Sequence, residues 1–276
     1  MGAVYVFVRD NNDNWSQEDY IKASNREGGD NFGSSLALDG DTLVIGAVGE
    51  DSGFSNTPSN NSATSSGAAY VFTRDNGNWS QQAYLKASNI DAYDDFGVSV
   101  AVSGNTLAVG ALEDSNARSI NGDQMNNSRA LSGAVYVFTR ENETWSQEAY
   151  IKASNANIQD RFGISVSLDD NTLAVGANQK NATNTGTGTA YIYTRSNTTW
   201  SEQAIIKASN AGGGDHFGKS ISVYNDTVIV GAPGESSAST TINEGEDDNT
   251  ALISGAAYVF TRSGLNWTQQ AYLKAS

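Results

Sequence analysis

The chain has no cysteine and one histidine in 276 residues. Without cysteine there is no disulfide, no thiol nucleophile and no cysteine-ligated zinc, although the compartment is not decided by this. The lone histidine, His216, lies in Asp-His-Phe-Gly, at a position that Asn31, Asp95 and Arg161 fill in similar stretches. That tolerance reads as a surface residue rather than a base. No nucleophile motif and no phosphate-binding glycine loop occurs either, so an enzyme is not expected. No apolar run is long enough to span a bilayer. No secretory leader is visible, because Met1 is followed at once by the strand-like Gly2–Phe7. This abrupt start suggests a mature segment or an excised piece of a longer chain. Positive charge is scarce, with 16 Lys and Arg against 31 Asp and Glu, for a net charge of -15. Such a surface repels phosphate backbones and anionic membranes and favours cations, unless the charge serves solubility alone.

What is present is a repeat. DNFGSSLALDGDTLVIGA (30–47) returns as DDFGVSVAVSGNTLAVGA (94–111), DRFGISVSLDDNTLAVGA (160–177) and DHFGKSISVYNDTVIVGA (215–232). Each copy holds two short apolar runs split by a tight polar turn, which reads as a hairpin. Each is followed by a loop, a Tyr-Val-Phe-type run (GAAYVFTR at Gly67, GAVYVFTR at Gly133, GTAYIYTR at Gly188, GAAYVFTR at Gly255), a short turn, and a Trp-led run ending in Lys-Ala-Ser. We label the four runs A (Phe-Gly), B (ending Gly-Ala), C and D. A C–D pair also precedes the first copy, at residues 2–24. The phenylalanines Phe32, Phe96, Phe162 and Phe217 stand 64, 66 and 55 residues apart, and nearly all the variation falls in the B–C loop. Fixed strands with one variable loop per unit mean repeated modules with insertions on one face.

Composition agrees: 28 glycines with many Asn, Asp, Ser and Thr separate bursts of β-formers, and no helical period appears. The fold class is all-β. Four-stranded antiparallel units that are apolar on both faces fit the blades of a β-propeller, each sandwiched between neighbours; an open solenoid of sheets is the alternative. The expected spans are a half-blade at 1–24 and blades at 25–88, 89–154, 155–209 and 210–276, forming one domain. The half-blade has no A or B strand of its own. The chain is then part of a larger propeller, a five-bladed ring with one incomplete blade, or a subunit that joins another by strand addition.

Asp-x-Phe-Gly opening one strand and Gly-Ala (Gly-Ala-Pro at 231–233) closing the next resemble the FG-GAP repeat of integrin α-subunit propellers. The fuller pattern with Lys-Ala-Ser and Ala-Tyr-Val-Phe-Thr-Arg is closer still to the FG-GAP repeats of bacterial exported and surface proteins. The resemblance covers essentially the whole chain. It implies strand A innermost, strand D outermost, and a ligand face formed by the D–A and B–C loops. It also implies an extracellular or cell-surface binding and adhesion module, with a structural subunit of a surface assembly as the alternative. The expected partner is a protein, a glycan or another copy, with neither nucleic acid nor membrane insertion. The family's calcium loop between A and B is missing here. The turns Asp39–Asp41, Ser103–Asn105, Asp169–Asn171 and Tyr224–Asp226 are too short to wrap calcium in six or more oxygens. No cofactor is required, and calcium elsewhere stays open.

Candidate ligand residues follow from this face. Asp30, Asp94, Asp160 and Asp215 precede Phe by two in every copy. They either bind a cation or fix the D–A turn by accepting backbone N–H bonds. The B–C loops add Glu50, Asp51, Glu113, Asp114 and Glu235, and Glu246, Asp247 and Asp248 form the densest acidic cluster; solvated loop is the other reading. Lys22, Lys86, Lys152, Lys207 and Lys274 on strand D, and Arg9, Arg74, Arg140, Arg195 and Arg262 ending strand C, repeat too regularly for a catalytic set. They are expected to pair with carboxylates between blades or to cap sheet edges. Asn14, Asn78, Asn142, Asn197 and Asn266 begin Asn-x-Ser/Thr sequons in the C–D turns. They are glycosylation candidates in a secretory chain, or turn residues that form the pattern by chance.

Overall fold

Val, Ile, Leu and aromatic residues at successive positions of strands B and C give those strands two apolar faces, which must be covered from both sides. The computed structural model, which describes residues 2–112, 119–124, 128–179 and 186–275, covers them by stacking sheets. β1 (Val4–Arg9) and β2 (Trp15–Ile21) form a two-stranded sheet. Four four-stranded antiparallel sheets follow in the order A-B-C-D. The first is β3 (Phe32–Asp39), β4 (Thr42–Ala47), β5 (Ala68–Asp75) and β6 (Asn78–Leu85). The second is β7 (Ser99–Ser103), β8 (Thr106–Ala111), β9 (Ala134–Glu141) and β10 (Thr144–Ile151). The third is β11 (Phe162–Asp169), β12 (Thr172–Ala177), β13 (Thr189–Ser196) and β14 (Thr199–Ile206). The fourth is β15 (Ser220–Tyr224), β16 (Thr227–Ala232), β17 (Ala256–Ser263) and β18 (Asn266–Leu273). No helix occurs among the described residues.

The A strands β3, β7, β11 and β15 lie against one another in turn and so are innermost. This is a β-propeller arrangement of four blades and a half-blade. The apolar cores lie between blades. One joins β1–β2 to the first blade, and three join blades one to two, two to three and three to four. Val44, Ile45, Ala108, Val109, Ala174 and Val175 on the B strands are wholly buried in them. Each large aliphatic side chain so buried contributes about 1.5–3 kcal/mol. Every Phe of Phe-Gly packs edge-on against the aromatics of its own C strand, as Phe96 does against Tyr136 and Phe138, at centroid distances of 5.4 and 6.2 Å.

The D strands carry a β-bulge at one repeated place. Val71 faces Ala83 and Phe72 faces Gln81, which leaves Gln82 between them unpaired. The same slip leaves out Glu18, Glu148, Gln203 and Gln270. A bulge re-aims the extra side chain. Here it reaches the indole N–H of the following blade: Trp79 donates to Glu18 at 3.0 Å, Trp145 to Gln82 at 2.8 Å, Trp200 to Glu148 at 2.8 Å and Trp267 to Gln203 at 2.9 Å. An arginine stacks on each of these indoles, Arg195 on Trp200 at 5.3 Å for example, and Arg195 also meets Glu148 at 3.2 Å.

The two outward faces of the stack are uncovered. At the N-terminal one, Leu36 is 53% exposed where its counterpart Val100 is 8% exposed, and Tyr5, Phe7, Leu38 and Trp15 are exposed with it. At the C-terminal one, Tyr224 and Ile229 are exposed.

Candidate functional site

The antiparallel order places all D–A and B–C loops at one end of the blades and the tight A–B and C–D turns at the other. At the turn end, each A–B turn holds an arginine. Arg74 Nε donates to Asp41 at 2.7 Å, Arg140 to Asn105 at 2.9 Å, Arg195 to Asn171 at 2.8 Å and Arg262 to Asp226 at 2.7 Å. A guanidinium thus occupies the turn where the integrin-type repeat would carry its calcium loop. The five sequon asparagines lie in the C–D turns at this end, and all five are exposed.

At the loop end, the four repeated aspartates are buried. Asp30 accepts the N–H of Glu27 at 2.9 Å, Asp94 that of Asp91 at 3.1 Å, Asp160 that of Asn157 at 2.6 Å and Asp215 that of Gly212 at 2.6 Å. Each therefore closes its own D–A turn. Burial raises the pKa of Asp30 and Asp215 above the usual carboxylate value, the turn N–H opposes it, and the neighbouring acid, Glu50 or Glu235, adds to the rise.

Glu50 and Glu235 also point inward, each about 1% exposed. Glu50 meets Lys86 Nζ at 2.8 Å and accepts from Ser52 N–H at 3.0 Å and Asn25 at 3.1 Å. Glu235 meets Lys274 Nζ at 2.8 Å, with Ser237 N–H at 3.1 Å and Asn210 at 3.4 Å. The pair ties the B–C loop to the end of strand D of the same blade, so these lysines do not bridge blades as the sequence suggested. Burial lowers the Lys86 pKa and Glu50 opposes the drop. The third blade lacks the arrangement: its B–C loop, 178–187, contains no acid, and Lys207 is exposed. That loss is visible in the sequence once loop acids and strand-D lysines are read together.

Of the remaining candidates, Asp51 is half-buried and accepts Ser65 N–H at 2.7 Å. Glu246 accepts the Ser209 hydroxyl. Asp248 accepts Ala238 N–H at 3.2 Å and Thr250 N–H at 3.0 Å, and the Thr250 bonds lower its pKa. Asp247 is exposed. Glu113 and Asp114 lie outside the described residues. Among the described residues no three acidic or histidine side chains gather as they would around a metal ion. His216 Nδ1 lies 3.3 Å from Gln179 and 3.4 Å from the Asn178 carbonyl. What sequence reading missed is apolar: Phe54, Ile242 and Leu252 on the B–C loops and Tyr93 and Ile158 on the D–A loops are all exposed. A cleft of about 510 Å³ opens at the other end, beside Asp41, Arg74, Asn105 and Arg140.

The FG-GAP repeat model matches residues 15–72, 79–138, 145–193 and 200–260, starting each time at the Trp of strand D. The chain belongs to the FG-GAP repeat family. Each match runs from one blade's D strand through the next blade's A, B and C strands, so the FG-GAP unit straddles the joint between blades. No curated protein matches the chain. FG-GAP propellers are typically binding or structural modules of extracellular or surface proteins, and among the described residues of this FG-GAP chain no helix is long and apolar enough to cross a membrane.

Proposed function

We propose that this FG-GAP chain is a non-catalytic binding and adhesion module of the extracellular space or cell surface, which takes a protein or glycan ligand on its B–C and D–A loop face. One observation carries the reading. Exposed apolar side chains lie on the B–C loops, Phe54 on the first blade's and Ile242 and Leu252 on the fourth's, where the exposed acids Glu244 and Asp247 share the loop, and both loops are anchored by buried Lys–Glu pairs. Apolar anchors rimmed by charge suit a partner surface that is apolar at its centre and basic at its edge. The charge of -15 disfavours nucleic acid and anionic membranes as partners. In this reading no cofactor is required, and calcium enters only as a variable of the test. The exposed sequon asparagines are at the opposite end, where glycans would not obstruct the ligand. The test is a glycan and protein ligand screen with and without calcium, repeated on a Phe54→Ser/Leu252→Ser/Asp247→Asn variant. A ligand held equally by both proteins, or turnover of it, refutes the reading.

A second reading rests on the N-terminal half-blade. Tyr5, Phe7, Leu36 and Leu38 border a cleft of about 280 Å³ next to the unpaired edge of β1. Strand addition by another copy at that edge makes the chain a subunit of a surface assembly. A concentration-independent monomer mass in light scattering rules it out.

A further inference from the structure

The three joints between complete blades are alike at the inner strands. Ser35, Ser99 and Ser165 on strand A donate their hydroxyls to the carbonyls of Gly97, Gly163 and Gly218 in the next blade, at 2.7, 2.7 and 2.8 Å. Those carbonyls lie 2.0, 2.2 and 1.9 Å from where a Cβ on Gly46, Gly110 and Gly176 would stand, whereas the space beside Gly231 holds only atoms of Ser220. At the turn end the ionic contacts do not repeat in this way. Arg74 meets Asp41 at 2.7 Å and Glu18 at 3.3 Å, Arg195 meets Glu148 at 3.2 Å, and Arg262 meets Asp226 at 2.6 Å. Arg140 meets no carboxylate among the described residues. The places that Asp41 and Glu18 fill around Arg74 are filled around Arg140 by the neutral Asn105 and Gln82.

The same guanidinium keeps donors to spare. A guanidinium has five N–H groups in a fixed plane. Nε of Arg140 donates to Asn105 at 2.9 Å, and Nη1 donates to Thr42 at 3.2 Å and Gln82 at 3.4 Å. Nη2 has no acceptor among the described residues. The group is held in place by stacking on Trp145, 5.1 Å from the ring centre. Arg140 is half-buried and lines the cleft of about 510 Å³ between the first and second blades. That volume is in the range of small-molecule sites. The other walls are polar and include the hydroxyl residues Thr42 and Thr73. Of the acids in the lining, Asp41 is taken by Arg74, while Asp75 and Glu143 are exposed.

We propose that this cleft binds a hexuronate, a sugar ring that bears one carboxylate, with the carboxylate seated on Arg140. A half-buried guanidinium with free N–H groups and no counter-ion selects a carboxylate, which accepts from it in charge-assisted bonds. The surroundings limit that ligand to one negative charge. Asp75 and Glu143 repel a dianion such as phosphate and the repeated charges of an acidic peptide. The same two acids accept bonds from hydroxyl groups, and Thr42 and Thr73 add oxygens of their own. A sugar acid supplies one carboxylate and several hydroxyls on a compact frame. The site lies at the opposite end of the blades from the B–C and D–A loops and does not depend on the ligand proposed for them.

The test titrates the full isotope-labelled chain with sodium glucuronate at constant ionic strength and follows the backbone amide resonances. Saturable shifts are expected at residues 41–42, 105 and 140–143. Glucose, which lacks the carboxylate, and acetate, which lacks the hydroxyls, should each bind about tenfold more weakly. A Gln82→Glu/Asn105→Asp chain gives Arg140 the two carboxylates that Arg74 already has. It should melt within about 2 °C of the parent, because it copies a contact set the fold uses elsewhere, and should bind glucuronate about tenfold more weakly. No saturable shift at hundred-millimolar glucuronate, equal affinity for glucose or acetate, equal affinity of the Gln82→Glu/Asn105→Asp chain, shifts confined to the loop end, or tighter binding of tetraglutamate overturns the proposal.

Discussion

Gly110→Ala tests the joint directly. The new methyl would stand 2.2 Å from the Gly163 carbonyl oxygen, 2.5 Å from Ser99 Oγ and 3.1 Å from the Gly163 carbonyl carbon. Ordinary contact begins near 3.4 Å, so β8 and the start of β11 must separate by more than about 1 Å or tilt. Forcing one methyl into packed structure costs about 1–3 kcal/mol. The Ser99 hydroxyl bond to Gly163 is broken by the same movement, at a further cost of about 1 kcal/mol. Together these give about 2–4 kcal/mol. For a domain of this size each kcal/mol moves Tm by about 2–4 °C, so the expected fall is about 4–16 °C. Calorimetry measures it, and hydrogen exchange locates it at the second joint. Because blades interact only with neighbours, the transition is expected to broaden or split rather than shift whole. Gly46→Ala and Gly176→Ala should behave alike, and Gly231→Ala should not. A Gly110→Ala protein that melts within 1 °C of the parent refutes the reasoning, as does a Gly231→Ala protein that loses as much as the others.

Glu50→Ala leaves the Lys86 ammonium buried without its partner and is expected to cost about 3–5 kcal/mol in urea titration. Lys207→Ala, at the exposed counterpart in the third blade, is expected to stay within about 0.5 kcal/mol; equal losses would contradict the pairing. The pH dependence follows from Asp30 and Asp215, whose folded pKa values are raised chiefly by burial. A raised carboxylate pKa means that the folded state holds its proton more tightly. The contribution is fully present below the unfolded value near 3.8 and is lost as pH rises through the folded value. Tm should therefore rise on acidification from neutrality into that window, and Asp30→Asn, which keeps an oxygen for the Glu27 N–H, should flatten the rise. A profile identical to the parent's would show that the carboxyl does not titrate there.

The blade architecture was legible because four copies of one pattern agree with each other. Two-sided apolar runs, turn residues at fixed places and loop-confined insertions all require stacked antiparallel sheets. Side-chain fates at the loop end were less legible. Glu50 and Asp51 are neighbours in sequence, yet one is sealed against Lys86 and the other holds the backbone of Ser65; composition sees two equal acids. The link from Gln82 to Trp145 was hidden for another reason. Strict alternation along strand D predicts the wrong side for Gln82, and only the bulge turns it toward the next blade. The exposed Phe54 and Leu252 could not be told from core residues, since their exposure depends on how a long loop folds back on its own hydroxyls.

The Ser–Gly clasp has a consequence for how such a chain can change over time. Ser35 meets Gly97 in the way Ser99 meets Gly163, so a blade excised from the middle would leave its two former neighbours with matching surfaces. A duplicated blade would likewise arrive with both of its surfaces already fitted. Gain or loss of a whole gene segment of this period therefore requires no simultaneous adjustment elsewhere, while the B–C loop of each unit is free to diverge in length and chemistry. The interchangeable joint separates the part of the protein that multiplies from the part that specialises.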